Sequence, residues 1–479
     1  MEIKQESECT YSFWEGRLLL DQEVQRFRAL HFPRQSEDEW IEMIRQWRGK
    51  NWLAVFPAIV SRDGRWKCLR CGADQEFIFF TPCGRCERDR CASCKHCLLL
   101  GRARSCQYLY RFVREGHDRV QIARTVKPSS IQLTARQSVT AQKLSTYVKQ
   151  KMPTVLFWAV TGAGKTETMI PVIEPLIRQG MSVLWCTPRQ DVVKELAPRL
   201  KRFFPDEIVT EHYAGSPDKW MLSPLVIATA HQTIRMAHLF DLVIVDEADA
   251  FPLEGNPALE YSIQRSKRTG GTIILLTATP TDLWIHRMRK GILPTVLLPC
   301  RFHGKPMPCP IWKREPVLWD QIKSHKMNRT VQRIINEITS TDGQALWFVP
   351  RIEDARIVAE WLKRESSFDE GQVDFVSSTD ENRTEKMLRF RDRNILHLVT
   401  TTILERGITI PQCHAVVLRA DHPVYDRASL VQIAGRVGRS LQYQAGKVWF
   451  LSNHKTEPIC QAIREIQLLN REACKEFGG

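Results

Sequence analysis

The residues Ala159-Val160-Thr161-Gly162-Ala163-Gly164-Lys165-Thr166 follow directly on the apolar run Val155-Leu156-Phe157-Trp158. Small residues at this spacing let backbone N–H groups close around phosphate oxygens. Lys165 then reaches the outer phosphates and the Thr166 hydroxyl holds Mg²⁺. Further on, Asp246-Glu247-Ala248-Asp249 ends the apolar run Leu242-Val243-Ile244-Val245. An acid at the carboxyl end of a strand stands where α/β sheets bind ligands. There Asp246 suits Mg²⁺, and Glu247 suits a general base that polarises an attacking water. Thr277-Ala278-Thr279 closes the next strand, at a place able to couple the nucleotide site to another domain. In Gln432-Ile433-Ala434-Gly435-Arg436-Val437-Gly438-Arg439 the arginines are three apart and share a face if the segment is helical. Such arginines neutralise charge building on a transferring phosphoryl group. The set implies binding and hydrolysis of a nucleoside triphosphate.

A second chemical cluster lies upstream. Of 15 cysteines, eight fall between residues 68 and 106: Cys68, Cys71, Cys83, Cys86, Cys91, Cys94, Cys97 and Cys106. Two residues between cysteines let both thiolates face one ion, and two such pairs supply a tetrahedral sulfur shell for Zn²⁺. Gly72 and Gly84 suit the turns. Cys68 and Cys71 form one pair. Cys83/Cys86, Cys91/Cys94 and Cys94/Cys97 compete as the second, and eight cysteines suffice for two ions. No open position with His or carboxylate is evident, so a structural ion is expected rather than a catalytic one. Basic residues (Arg65, Lys67, Arg70, Arg85, Arg88, Arg90, Lys95, Arg102, Arg104, Arg111, Arg114) interleave with Trp66, Phe77, Phe79, Phe80, Tyr108 and Tyr110. This suits either single-stranded nucleic acid or a solvated basic surface over a small aromatic core.

Elements must position these groups. At 479 residues the chain is too long for one core. A net charge of +15 favours a polyanionic partner. There is no apolar run of membrane-crossing length, and the first residues do not form a signal peptide, so a cytoplasmic location is expected. Trp14, Trp40, Trp47 and Trp52 read as core rings, with helical character over Glu37 to Arg48. Lys127-Pro128-Ser129-Ser130 reads as a linker. Apolar strands are expected at 154–160, 182–187, 225–229, 241–246 and 272–276, alternating with helices in a doubly wound parallel sheet. A proline-rich stretch, Pro299 to Pro316, interrupts the pattern. A second set follows at 344–349, 373–376, 396–400, 414–418 and 446–451. The expected division is 1–126, carrying a zinc module at 65–106, then 127–300 and 301–479.

In chain order, the glycine loop, Thr187-Pro188-Arg189, Thr229 with His231-Gln232, Asp246–Asp249, Thr277–Thr279, Thr400-Thr401-Thr402-Ile403-Leu404-Glu405-Arg406-Gly407 and Gln432–Arg439 resemble the motif series of superfamily 2 helicases. The resemblance covers residues 131–460 and implies two tandem RecA-like domains. It implies Lys165, Glu247, Gln432, Arg436 and Arg439 as catalytic residues. ATP and Mg²⁺ would be held by Thr161, Gly162, Ala163, Gly164, Lys165, Thr166, Glu167 and Asp246. Leu133-Thr134 and Gln137 resemble the adenine-reading element, and Thr187, Arg189, Thr229, Thr401 and Thr402 the contacts to a strand's phosphates.

Within that superfamily the chain is similar to the ComFA-like family of late competence proteins of transformable Gram-positive bacteria. The similarity is carried by the Cys68–Gly72 knuckle, Cys94-Lys95-His96-Cys97-Leu98-Leu99-Leu100-Gly101-Arg102, Asp249-Ala250-Phe251-Pro252 and Arg301-Phe302-His303-Gly304. It implies an ATP-driven motor on single-stranded DNA that helps draw in transforming DNA. It implies competence and DNA-uptake proteins at the membrane as partners, and a peripheral position at the membrane's inner face. It leaves homo-oligomerisation open. It favours Cys68, Cys71, Cys94 and Cys97 as the ligands of a structural Zn²⁺; Cys83, Cys86, Cys91 and Cys106 are additional to that pattern. Rival readings are a primosomal-type replication-restart helicase, an RNA helicase, and an ATP-gated assembly module of the uptake machinery. In the first of these the cysteines interrupt the second motor domain, whereas here they precede the first.

Overall fold

The computed structural model describes residues 13–113, 131–365, 368–369, 371–377, 379–401, 413–438 and 446–475. The expected linker at 127–130 lies outside them. The chain forms two compact units, with Trp158–Lys165 and Ala278–Asp282 belonging to the second along with everything from Leu297 onward.

The first unit starts with a small antiparallel sheet. Strands β1 (Arg17–Leu20) and β2 (Leu53–Pro57) flank β7 (Tyr108–Phe112), with α1 (Asp21–His31) and α2 (Glu37–Gly49) between the first two strands. Ser36 opens α2 through a reciprocal cap with Glu39. Trp14, Trp40, Trp47 and Trp52 are all buried with Phe27 and Phe112, so these rings are core, as expected. Cys68, Cys83, Cys86, Cys91 and Cys94 sit on two hairpins, β3 (Ile59–Arg62) with β4 (Arg65–Cys68) and β5 (Ile78–Cys83) with β6 (Arg88–Cys94), and Cys71, Cys97 and Cys106 in the segments that follow them.

Next come α3 (Ala135–Lys149), β8 (Thr154–Ala159), α4 (Lys165–Arg178), β9 (Val183–Thr187), α5 (Gln190–Phe203), β10 (Val209–His212), β11 (Leu225–Thr229) and β12 (Phe240–Val245). They continue with α6 (Pro257–Ser266), β13 (Lys267–Thr277), α7 (Asp282–Arg289) and β14 (Thr295–Leu298). The strands form one seven-stranded sheet in the order β10-β11-β9-β12-β13-β8-β14. From β10 to β13 the neighbours are parallel. Strands covered on both faces read as unbroken apolar runs, and all five residues of Val183–Thr187 are buried.

The second unit's sheet has six strands, every neighbouring pair parallel: β15 (Ile311–Arg314), β16 (Gln344–Phe348), β17 (Val373–Val376), β18 (His397–Thr400), β19 (Cys413–Leu418) and β20 (Val448–Ser452), in the order β15-β20-β19-β16-β18-β17. Its helices are α8 (Leu318–Lys323), α9 (Arg329–Ser340), α10 (Ile352–Glu365), α11 (Arg383–Arg391), α12 (Arg427–Ala434) and α13 (Glu457–Lys475). On α9 the buried residues are Val331, Ile334, Ile335 and Ile338, the spacing of one helical face. The expectation of two parallel-sheet domains plus a cysteine module is borne out. The stretch Pro299 to Pro316 differs from its reading as a plain interruption, because Ile311–Arg314 is an edge strand beside β20. Its short, half-polar sequence, Ile-Trp-Lys-Arg, hides it.

Candidate nucleotide site and cysteine module

In the first unit the residues expected to act stand at the carboxyl ends of parallel strands. Thr187 ends β9 and Thr229 ends β11, and the two are direct register partners. Both are buried. Arg189 caps α5 just beyond, with Asp191 3.3 Å from its guanidinium. Asp246 follows β12. Its carboxylate accepts the Glu247 amide at 2.9 Å, and Glu247 takes a left-handed backbone (φ 49°) that turns the chain at the strand end. Asp249 is buried and accepts the Thr277 hydroxyl at 2.6 Å, tying the acidic tetrapeptide to the end of β13. Gln137 is buried at the start of α3, where it and Thr134 cap one another reciprocally. Glu167 pairs with Arg199 at 2.6 Å, and Thr166 is buried on α4.

In the second unit the glycine loop turns through Gly162 and Gly164, both at positive φ (84° and 78°). Lys165 Nζ donates to Ala159 O at 3.1 Å. The loop is packed against the segment that carries the arginine motif. Gln432 donates to the Thr279 hydroxyl at 3.1 Å. Gly435 lies so close to Thr161 that a Cβ there would fall 2.6 Å from Thr161 Oγ1. The Phe302 amide donates to Gly162 O at 3.1 Å.

Arg301, 1% exposed, organises this turn: its guanidinium donates to the carbonyls of Val437 (2.7 Å), Gly438 (2.8 Å) and Gly435 (3.0 Å). No role for Arg301 follows from its spacing. Its signal was a single arginine inside the Arg301–Gly304 tetrapeptide. The arginine motif is not one continuous helix. Helix α12 stops at Ala434, and Arg436, which is buried, follows in turns that end on Gly438 at φ 67°. Arg439 and Thr402 lie outside the described residues, and Thr401 follows the end of β18.

The cysteines divide into two groups, in each of which the four sulfurs lie within 4.8 Å of one another: Cys68, Cys71, Cys94 and Cys97, and Cys83, Cys86, Cys91 and Cys106. In the first, all four are buried, with Cys68···Cys97 at 3.9 Å and Cys71···Cys94 at 3.5 Å. A Zn–S bond of about 2.3 Å makes a tetrahedral sulfur edge of about 3.8 Å, so the donor set fits such an ion. His96 lies against the Phe77 ring, centroids 4.0 Å apart.

This module is seated against α6 and the turn at Ala230–Arg235, both in the first unit. Gly72, at φ 76°, lies against Tyr261: a Cβ there would meet the ring at 2.8 Å. Cys68, Cys71, Cys94 and Cys97 share a core with Ile234, Ala237 and Ala258. Arg70, expected on a basic face, is instead fully buried. Its Nη2 donates to both carboxylate oxygens of Glu23 (2.7 and 2.8 Å) and its Nη1 to Gly101 O at 2.6 Å. Glu23 also accepts from Arg235 at 2.7 Å, and Arg235 continues to Gln232 at 2.6 Å. Burial would raise the Glu23 carboxyl, but Arg70, Arg235 and the Leu20 amide outweigh it and hold it below the usual carboxylate range. Trp66, Phe77 and Phe80 pack against the module's core. Arg90 and Arg102 lie over Phe80 and Phe79, 5.0 and 5.5 Å from the ring centroids. The basic-aromatic pattern is therefore in part a folded core.

Three family models match: Competence protein ComFA N-terminal domain at residues 4–111, Type III restriction enzyme, res subunit, at 130–282, and Helicase conserved C-terminal domain at 326–440. Competence protein ComFA of Streptococcus pneumoniae is 35% identical over 440 residues, 91% of this chain and 97% of the relative. Competence protein ComFA of Bacillus subtilis is 34% identical over 460 residues, 94% and 96% of the two chains. Among solved structures, Mss116p bound to ssRNA and AMP-PNP matches with a TM-score of 0.52 at 18% identity, over 71% of this chain and 72% of that one. That likeness is one of fold.

Proposed function

Because the chain belongs to the ComFA family of competence proteins, and carries helicase-type domains, we propose that it is an ATPase that moves single-stranded DNA during uptake of transforming DNA. The observation that carries this reading is the packing of the glycine loop on the Gln432–Gly438 segment within one compact unit. Lys165 would move from the Ala159 carbonyl to the outer phosphates of ATP, with the loop amides and Thr166 around them. Glu247 would take a proton from the attacking water, and Arg436, with Arg439, would neutralise charge on the phosphoryl group. Asp246 and Thr166 would hold Mg²⁺, which would supply positive charge to offset that building on the phosphates. Thr187, Arg189, Thr229, Thr401 and Thr402 would position the strand through its phosphates without reading sequence. Among the described residues no helix is long and apolar enough to cross a membrane.

In this reading Cys68, Cys71, Cys94 and Cys97 hold a structural zinc. Cys68→Ser is expected to lose one equivalent of metal and to unfold the module, measured by elemental analysis and tryptophan fluorescence, since structural metal binding contributes folding free energy. Unchanged metal content would remove Cys68 from the ligand set.

The function is tested by steady-state hydrolysis of ATP alone and with single-stranded DNA, duplex DNA or single-stranded RNA. Stimulation by single-stranded DNA alone, at least several-fold, is the expected result. Equal stimulation by RNA would favour an RNA helicase, and no stimulation by any strand would favour an ATP-gated assembly module.

A further inference from the structure

We propose that Cys83, Cys86, Cys91 and Cys106 form a second thiolate site for a soft divalent cation, Zn²⁺ first, separate from the Cys68–Cys71–Cys94–Cys97 cluster. The four sulfurs lie within 4.8 Å of one another. Cys83 and Cys106 are 3.9 Å apart, close to the tetrahedral edge of about 3.8 Å that thiolate zinc requires. All of these cysteines are free thiols, so the closeness is not that of a disulfide.

Three local devices hold the sulfurs there. In Cys83-Gly84-Arg85-Cys86 the Glu87 amide donates to Cys83 O at 2.8 Å, closing a turn that brings the Cys86 sulfur back beside that of Cys83. The antiparallel register then brings Cys91, opposite Thr81, beside this turn. Finally the chain from Ala103 to Ser105 runs along the other side of β6. The Cys94 amide donates to Ala103 O at 3.1 Å, and the Ser105 amide to Ala92 O at 2.9 Å. That pairing delivers Cys106, while the Ser105 hydroxyl lies 3.5 Å from Cys91 Sγ.

The two clusters are distinct. Cys94 pairs with Ile78 at one end of the β5–β6 ribbon, and Cys91 with Thr81 toward the other. The two pairs are three positions apart along the strand, about 10 Å at an antiparallel rise. One ion cannot serve both. Charge also fits: four thiolates around a divalent ion leave about two negative charges, and the Arg104 guanidinium lies 3.7 Å from Cys83 Sγ. Binding releases the thiol protons, and no redox step is involved. The ion would clamp the turned end of the β5–β6 hairpin, where Arg85 and Arg88 are carried.

The test uses the full-length protein, stripped by chelator and reloaded with Zn²⁺. Elemental analysis is expected to give two equivalents per chain, falling to one in C83S/C106S. In the loaded wild type, Cys83, Cys86, Cys91 and Cys106 are expected to resist iodoacetamide together and to become reactive together when chelator is added. One equivalent in the wild type, with Cys86 and Cys106 alkylated in the loaded protein, overturns the proposal, and this arm needs no variant to fold. Neither readout depends on ATP turnover or DNA, so the result is independent of the motor reading.

Discussion

Lys165→Ala is expected to lower ATP turnover by roughly 100-fold to 1,000-fold, with and without DNA, and to leave the fold intact. Lys165 is the first residue of α4, and its ammonium sits on the Ala159 carbonyl at 3.1 Å. That position holds a cation at the mouth of a glycine turn at little cost to the helix, because alanine continues a helix at least as well. What is lost is charge on the outer phosphates as negative charge shifts in the transition state. Removing one such preorganised group typically costs about 3–4 kcal/mol of transition-state stabilisation. Steady-state hydrolysis by the variant, beside a circular dichroism melt, separates lost chemistry from lost fold. Turnover within a few-fold of the parent, with an unchanged melt, would move the active site elsewhere.

Glu23→Ala is expected to destabilise the first unit by about 3–5 kcal/mol, the range for breaking a buried pair so that one charge stays uncompensated. Arg70 is 0% exposed and has Glu23 as its carboxylate partner at 2.7 Å. Arg235 shares the same carboxylate. Glu23→Gln keeps the shape and part of the hydrogen bonding, so its loss should be smaller but of the same sign. The pH dependence has a definite direction. The folded carboxyl titrates below its unfolded value. The pairing therefore stabilises fully above the ordinary carboxylate range, about pH 4.3 for glutamate. It is lost as pH falls from there through the lowered folded value. Urea unfolding followed by tryptophan emission should show parent and Glu23→Gln converging in acid and separating at neutral pH. Equal midpoints at neutral pH would mean that the pair does not hold the module down.

Much of the motor was legible because both sheets are parallel and covered, and such strands announce themselves as apolar runs. Val183–Thr187, Leu225–Thr229 and Gln344–Phe348 fall where those runs predict. The short strands escaped for the opposite reason: Val209–His212 and Ile311–Arg314 lie at sheet edges and are half polar in sequence, so neither reads as an apolar run. The glycine loop is a local device, so its turn is legible from its spacing. The Glu23–Arg70–Arg235 network is not local. Its members are 47 and 212 residues apart, and no window of sequence contains them. The grouping of the cysteines was ambiguous for a related reason. Spacing alone makes Cys91/Cys94 a plausible knuckle, whereas hairpin register sends those two sulfurs to different clusters.

The seating of Gly72 against Tyr261, with Ile234, Ala237 and Ala258 beneath the cysteines, constrains how this protein is dissected and how it evolves. A fragment truncated to begin after the cysteine module would bare that apolar seat to water. It would also strip Arg265 of the Arg70 carbonyl and Arg235 of the Glu23 carboxylate. Such a fragment would be prone to clump, and its poor behaviour would say nothing about whether the missing piece touches DNA. By the same logic, recombination that grafts a foreign N-terminal module onto this chain must bring a matching footprint with it.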